Sequence, residues 1–202
     1  MITGAPWLLM LAVFSGLSMN LFLQFGLGLK GIASGVNIGK RRLLAGALVL
    51  FVTVTLLWLV FSFFRPVFFL GHLEYVALFP VSSLVFASLE YLANRFILKD
   101  AARREFFLMD DTLSGGVLAG ASLFITLDAA GSFLEAVSLA LGLSLSAALV
   151  FSAAVEIRRR AEMEAVPRWL RGGPLALVAL GLLALIFSSG ALMLFGILEA
   201  VP

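Results

Sequence analysis

The chain has 202 residues, of which 62% are hydrophobic and 13% are charged, and its mean hydropathy is +1.11. This composition is too apolar for a soluble domain and predicts a polytopic membrane protein. The small net charge of +2 does not favour nucleic acid as a partner, and the lack of cysteine excludes disulfides, thiolate metal sites and a cysteine nucleophile.

Six apolar runs follow one another along the chain. Each is close to the roughly 20 residues that a helix needs to cross ~30 Å of hydrocarbon. Alternation with a period of two is absent, so the pattern predicts helices and not strands. The predicted spans are Trp7–Phe25, Leu43–Phe64, Val76–Ala93, Phe106–Leu127, Phe133–Val155 and Leu175–Leu198.

Basic residues occupy alternate gaps between these runs. Thirteen of the 14 Lys and Arg residues lie in the first, third and fifth gaps, and the other is Arg65. Basic residues near short spans stay on the cytoplasmic side, so the pattern predicts both termini outside. The thirteen are Lys30, Lys40, Arg41, Arg42, Arg95, Lys99, Arg103, Arg104, Arg158, Arg159, Arg160, Arg168 and Arg171.

Glycines interrupt two of the six runs. Gly26 and Gly28 end the first run, and Gly115 and Gly116 interrupt the fourth. These runs hold equivalent places in two three-span halves, residues 1–100 and 101–202, of one transmembrane domain. Interrupted helices at matching places of inverted halves predict a functional site near the midplane. The alternative is that these glycines serve close helix packing.

Some polar residues inside the spans are candidates for a function. Glu90 ends the third span, either as a membrane-end carboxylate near Arg95 or as a cation-coupling acid. Asn20 and Gln24 lie four apart in the first span and are expected to bond to neighbouring helices, with Asn20 also a midplane candidate. A single histidine and scattered carboxylates predict no metal site.

Two stretches resemble a known family. Around the fifth gap, Ile157-Arg158, Val166-Pro167 and Leu170-Arg171-Gly172 precede Leu175-Ala176-Leu177, and near the N-terminus the stretch is Asn20–Gly31. With Glu90, these residues resemble the small six-helix membrane subunits of Rnf and Nqr complexes, which are ion-pumping electron-transport complexes of prokaryotic inner membranes. The orientation resembles the RnfA/NqrE type.

The resemblance implies a scaffold or ion-pathway subunit of such a translocase, at most a non-catalytic one. It implies pairing with an inverted RnfE/NqrD-like subunit and with further subunits of the complex. In the family, cysteines at the breaks of spans one and four hold a shared [2Fe-2S] cluster. Here those positions read Lys30 and Gly115, which predicts no cofactor in this chain and places any [2Fe-2S] cluster or flavin in partner subunits.

Lys30 allows two interpretations. It is either the first basic residue of a loop or, at the family's cysteine position, a buried amine paired with Asp110 or Asp111. The two aspartates otherwise complement the positive N-terminus of the fourth helix. The competing function is a transporter or channel that uses the same scaffold without redox chemistry.

Overall fold

The part of the chain that the structure, a computed structural model, describes is all-helical. It comprises residues 4–18, 20, 40–64, 73–93, 95, 112–163, 167 and 173–199. These residues form six helices, and the predicted all-helical fold class is confirmed. In chain order the helices are α1 (Ala5–Ser18), α2 (Lys40–Phe64), α3 (Leu73–Ala93), α4 (Thr112–Ala129), α5 (Phe133–Met163) and α6 (Gly173–Glu199).

Two of these helices are long and apolar enough to cross a membrane. The apolar segments are Leu43–Phe63 of α2 and Phe133–Ile157 of α5. The apolar parts of α1, α3, α4 and α6 are shorter within the described residues. By length and composition, the fold is therefore consistent with a helical membrane protein.

The outer surface of the bundle is far more apolar than that of a soluble helical bundle, although the interior is apolar as well. Large apolar side chains face outward on every helix, and examples are Leu9, Leu48, Leu84, Phe124, Leu149 and Met193. Several hydroxyls face inward, and they bond to carbonyls of their own helix, as Thr53 Oγ1 does to Val49 at 2.7 Å. Large exposed apolar surfaces mark contact with a membrane or a partner.

Two core clusters show how the helices run. The first cluster joins the starts of α2 and α4 to the ends of α3 and α5, and it includes Ala45, Leu118, Ala93 and Ala154. The second cluster joins the other ends of the same helices, and it includes Trp58, Leu127, Leu78 and Ala136. Therefore α2 and α4 run in one direction, and α3 and α5 run in the opposite one.

The connection between α4 and α5 is a three-residue turn with a capping box. Glu135 Oε2 accepts hydrogen bonds from the backbone N–H groups of Gly131 at 2.9 Å and Ser132 at 3.2 Å. Ser132 Oγ accepts one from the Glu135 N–H at 3.4 Å. This reciprocal arrangement satisfies donors that a helix start leaves open, and it gives Glu135 a structural role.

The ends of two helices differ from the predicted spans. The first span was expected to reach Phe25, but α1 ends at Ser18 and Asn20 is not helical. Ser and Asn side chains compete with the helix backbone for hydrogen bonds, which favours an end here. In contrast, α5 is longer than predicted and continues past Val155 to Met163. The ion pair between Glu156 and Arg160, four residues apart, stabilises this polar end of the helix.

Candidate functional site

Two pairs of helices in the bundle pack tightly along seams of small residues, and the first seam joins α1 to α5. Ser138 Oγ donates a hydrogen bond to the carbonyl of Leu8 at 2.8 Å, and Gly16 lies against Ser146. Between these contacts, Gly142 lies against Ala12. These residues, with Ser15 and Leu139, are the α1–α5 seam. Residue numbers rise together along both helices, so α1 and α5 are parallel.

Gly142 is the point of closest approach in this seam. A Cβ added there would overlap the carbonyl oxygen of Ala12 and the hydroxyl of Ser15, and it would lie 2.8 Å from the Ala12 carbonyl carbon. Ser15 Oγ in turn donates to the carbonyl of Leu139 at 3.3 Å. Only a glycine lets the two backbones approach this closely.

The second seam joins α3 to α4. Phe79 and Ser82 lie against Gly120, Ser83 lies against Gly116, and Phe86 lies against Gly115. These seven residues are the α3–α4 seam. Numbers fall on α4 as they rise on α3, so the two helices are antiparallel. Ser82 Oγ donates to the Gly116 carbonyl at 3.3 Å.

No interruption of the fourth span is seen at Gly115 and Gly116, and the part of that span before Thr112 lies outside the described residues. Gly115 and Gly116 lie inside α4, which runs without a break from Thr112 to Ala129. Their small size serves the α3–α4 seam, which is the close-packing alternative. Gly26 and Gly28, the predicted break of the first span, lie outside the described residues.

The surroundings of Gly115 do not fit an iron–sulfur cluster. Glycine offers no ligand atom, and the ring of Phe86 occupies the space into which a side chain at 115 would extend. Two further ring atoms of Phe86 would lie 3.1 Å from such a Cβ. Lys30, the other predicted cluster position, lies outside the described residues.

Glu90 lies inside the bundle. Its exposed fraction is 2%, and it shares a face of α3 with Phe86 and Ala93, which both belong to the first core cluster. The register of the α3–α4 seam brings Glu90 to the level at which α4 begins. Glu90 thus lies one helical turn beyond Phe86, the residue of the α3–α4 seam that contacts Gly115. Arg95, its predicted neighbour, is exposed.

The other predicted polar residues are more scattered. Asn20 is buried, with an exposed fraction of 3%, and it follows the end of α1 without being helical itself. Asp110, Asp111 and Gln24 lie outside the described residues, so the pairing of Lys30 with an aspartate stays a prediction. Within the described part of the chain, no three His, Cys, Asp or Glu residues form a group that would hold a metal.

Sequence reasoning missed the α1–α5 seam. The sequence contains the pattern that predicts such a seam, namely pairs of small residues four positions apart. These pairs are Ala12 and Gly16 on one helix and Gly142 and Ser146 on the other. This spacing places small residues on one helix face and is typical of membrane helix interfaces.

A comparison with protein-family models and one with curated proteins give no match for this sequence. The resemblance to Rnf and Nqr subunits therefore stays a prediction.

Proposed function

We propose that the chain is a six-span, inner-membrane subunit of an Rnf/Nqr-like ion-translocating electron-transport complex of a prokaryote. It would act as a scaffold or ion-pathway subunit, holding no [2Fe-2S] cluster of its own and pairing with an inverted RnfE/NqrD-like subunit. Electrons would pass through cofactors of neighbouring chains.

The observation that carries the scaffold of this proposal is the pattern of helix pairing, whereas the redox function rests on the resemblance to Rnf and Nqr subunits given above. Two inverted halves would relate α1 to α4, α2 to α5 and α3 to α6. This exchange turns the pair α1–α5 into α4–α2 and the pair α1–α6 into α4–α3. All four of these helix pairs are in contact. The α2–α3 pairing likewise becomes α5–α6, and α2–α5 becomes itself. Among the helix pairs described, α4–α5 has no counterpart, and exchanged pairs differ in extent, with α3–α4 more extensive than α1–α6. Such a pattern supports two inverted repeats.

The positions of the basic residues support the proposed orientation. Lys40, Arg41 and Arg42 begin α2, Arg95 follows α3, and Arg158–Arg160 end α5. The first core cluster joins these three helix ends, so all of these residues belong to one end of the bundle. Basic residues at one end are typical of the cytoplasmic side.

Glu90 is our candidate for the ion pathway. A carboxylate in an apolar interior is costly in its charged form unless a cation or hydrogen bonds compensate it. Acids inside membrane proteins are functional candidates for this reason. The position of Glu90, in the core and near the end that carries the basic residues, suits uptake of a cation from the cytoplasm.

The first test is the cofactor content of the native assembly. We expect the tagged full chain, purified in mild detergent from its own membranes, to bring with it subunits that contain flavin and iron–sulfur clusters. Absorption spectra and assays for iron, sulfide and flavin would measure this. An assembly without iron, sulfide and flavin contradicts the proposal. Na⁺ transport by the isolated chain in liposomes would then favour the redox-independent transporter or channel.

The second test concerns Glu90. In membrane vesicles that contain the complex, Glu90→Gln is expected to lower redox-driven ion uptake at least tenfold while the subunits still assemble. Glu156→Gln, which changes an exposed glutamate of α5, is the matched control and should leave uptake unchanged. Equal uptake in both variants would exclude Glu90 from the pathway.

A further inference from the structure

An open groove lies on the outer surface beside the α1–α5 seam. Its volume is about 370 Å³, and its wall includes Val13 and Gly16 of α1, Leu145 and Leu149 of α5, and Phe187 of α6. The lining is almost wholly apolar. The polar side chain in the wall is that of Ser146. Its hydroxyl is buried and donates a hydrogen bond to the carbonyl of Leu143 at 3.0 Å.

The groove exists because α5 is covered on all sides but one. It packs against α1, α2, α4 and α6, and its middle exposes only Leu141, Leu145, Leu149 and Ser152. These residues recur every three or four positions and so form one stripe. The small residues of the seam bring α1 close to α5, which leaves a depression along the stripe toward α6.

Beyond Ser152, the exposed stripe of α5 continues to the ion pair of Glu156 and Arg160. Eleven residues separate Leu149 from Arg160, which is about three turns and roughly 16 Å, so the two side chains share a face of α5. Half of the hydrocarbon layer of a bilayer is about 15 Å thick. A lipid whose phosphate lies at Arg160 therefore extends its acyl chain to the level of Leu149.

Arg160 is suited to hold a phosphate. Its Nε bonds to Glu156 Oε1 at 3.1 Å, and its side chain is 70% exposed. An exposed pair of this kind contributes little to stability, and the guanidinium has further N–H donors for a phosphate. Arg159, also exposed, adds positive charge at the same level.

We propose that the groove binds one acyl chain of an anionic phospholipid whose phosphate pairs with Arg160. The proposal rests on the membrane orientation given above, since Arg160 must lie at the cytoplasmic headgroups. It does not depend on redox cofactors, so iron and flavin content and lipid binding can fail separately.

Native mass spectrometry of the full chain, purified in detergent and supplied with equal phosphatidylglycerol and phosphatidylcholine of the same acyl chains, tests this site. We expect one retained lipid per chain, with phosphatidylglycerol preferred roughly fivefold, as one well-placed arginine gives. Arg160→Gln should abolish this preference. Arg95→Gln, which removes an exposed cation that follows α3 at the same end of the bundle, should keep the preference.

Filling the groove tests the acyl chain. Leu145→Trp should lower retention of both lipids at least fivefold, whereas Leu84→Trp, on an exposed position of α3, should not. Equal retention by the two tryptophan variants overturns the proposal, as does equal binding of the two lipids by the wild-type chain. If Leu145→Trp separates subunits without changing retained lipid, the groove is a protein interface and the proposal is wrong.

Discussion

At the α1–α5 seam, glycine meets the backbone of the partner helix, whereas at the α3–α4 seam glycines meet mainly side chains. The neighbours of Gly142 include the carbonyl group of Ala12, and those of Gly115 are ring atoms of Phe86. A backbone group moves only if its whole helix moves, whereas a side chain can be exchanged for a smaller one. The first seam should therefore tolerate no enlargement at Gly142, and the second should allow compensation at Gly115.

The largest effect is expected from Gly142→Ala. The added methyl group would overlap the Ala12 carbonyl and force α1 away from α5. We expect a loss of about 3 kcal/mol, the upper range for overpacking, measured as a lower midpoint of thermal unfolding in detergent. Gly181→Ala is the control, because nothing lies within 4 Å of that position, and it should be neutral or stabilising by up to about 1 kcal/mol. Similar midpoints for the two variants would contradict the tight seam.

Gly115→Ala should destabilise by about 2 kcal/mol through its overlap with Phe86. Adding Phe86→Leu should recover part of this loss, which a double-mutant cycle of unfolding midpoints would reveal as positive coupling. Gly116→Ala with Ser83→Gly is the comparison. Recovery should be smaller there, because the new methyl still lies 2.6 Å from the Ser83 Cα. Equal recovery of stability in both double variants would contradict the claim that contacts with a side-chain ring can be relieved more easily than contacts with the backbone.

Gly16→Ala should have a smaller effect than Gly142→Ala in the same seam. Its added Cβ would lie 3.2 Å from the Gly142 oxygen and 3.4 Å from Ser146 Cβ, which is tight but not overlapping. We expect a loss of about 1 kcal/mol or less, because the higher helix propensity of alanine offsets part of the crowding. A loss as large as that of Gly142→Ala would show that the seam is uniformly tight.

The smallest effects should come from hydroxyls that cross the seams. Ser138→Ala removes a 2.8 Å bond to Leu8 and should cost about 0.6 kcal/mol, a typical value inside membranes. Ser82→Ala should cost less, since its single O–H proton is shared between the Gly116 carbonyl at 3.3 Å and the nearer Phe79 carbonyl of its own helix at 2.9 Å. Ser152→Ala, whose hydroxyl is exposed and bonds within α5, is the control. A control that loses as much as Ser138→Ala would argue against a contribution from the crossing bond.

Much of the fold follows from the sequence by itself. Long apolar runs must become helices, because backbone polar groups in an apolar medium need internal partners, and all six predicted runs contain a helix. The turn at 130–132 and the cap by Glu135 also follow from local chemistry, although they were not predicted. The end of α1 at Ser18 was not predicted. The apolar run continues to Phe25, and its length favours a longer helix more strongly than Ser18 and Asn20 favour an end.

Which face of each helix points inward was decided only by the tertiary structure. The helices are apolar on every side, so periodicity does not separate buried Leu57, at 2% exposure, from exposed Leu59, at 53%. In a membrane, hydrophobic burial would give no preference because both environments are apolar, and steric fit between small residues would set the helix pairing instead. The sequence by itself determined the helices, their charges and the absence of cysteine. The tertiary structure determined the two seams, the burial of Glu90 and the groove between α1, α5 and α6.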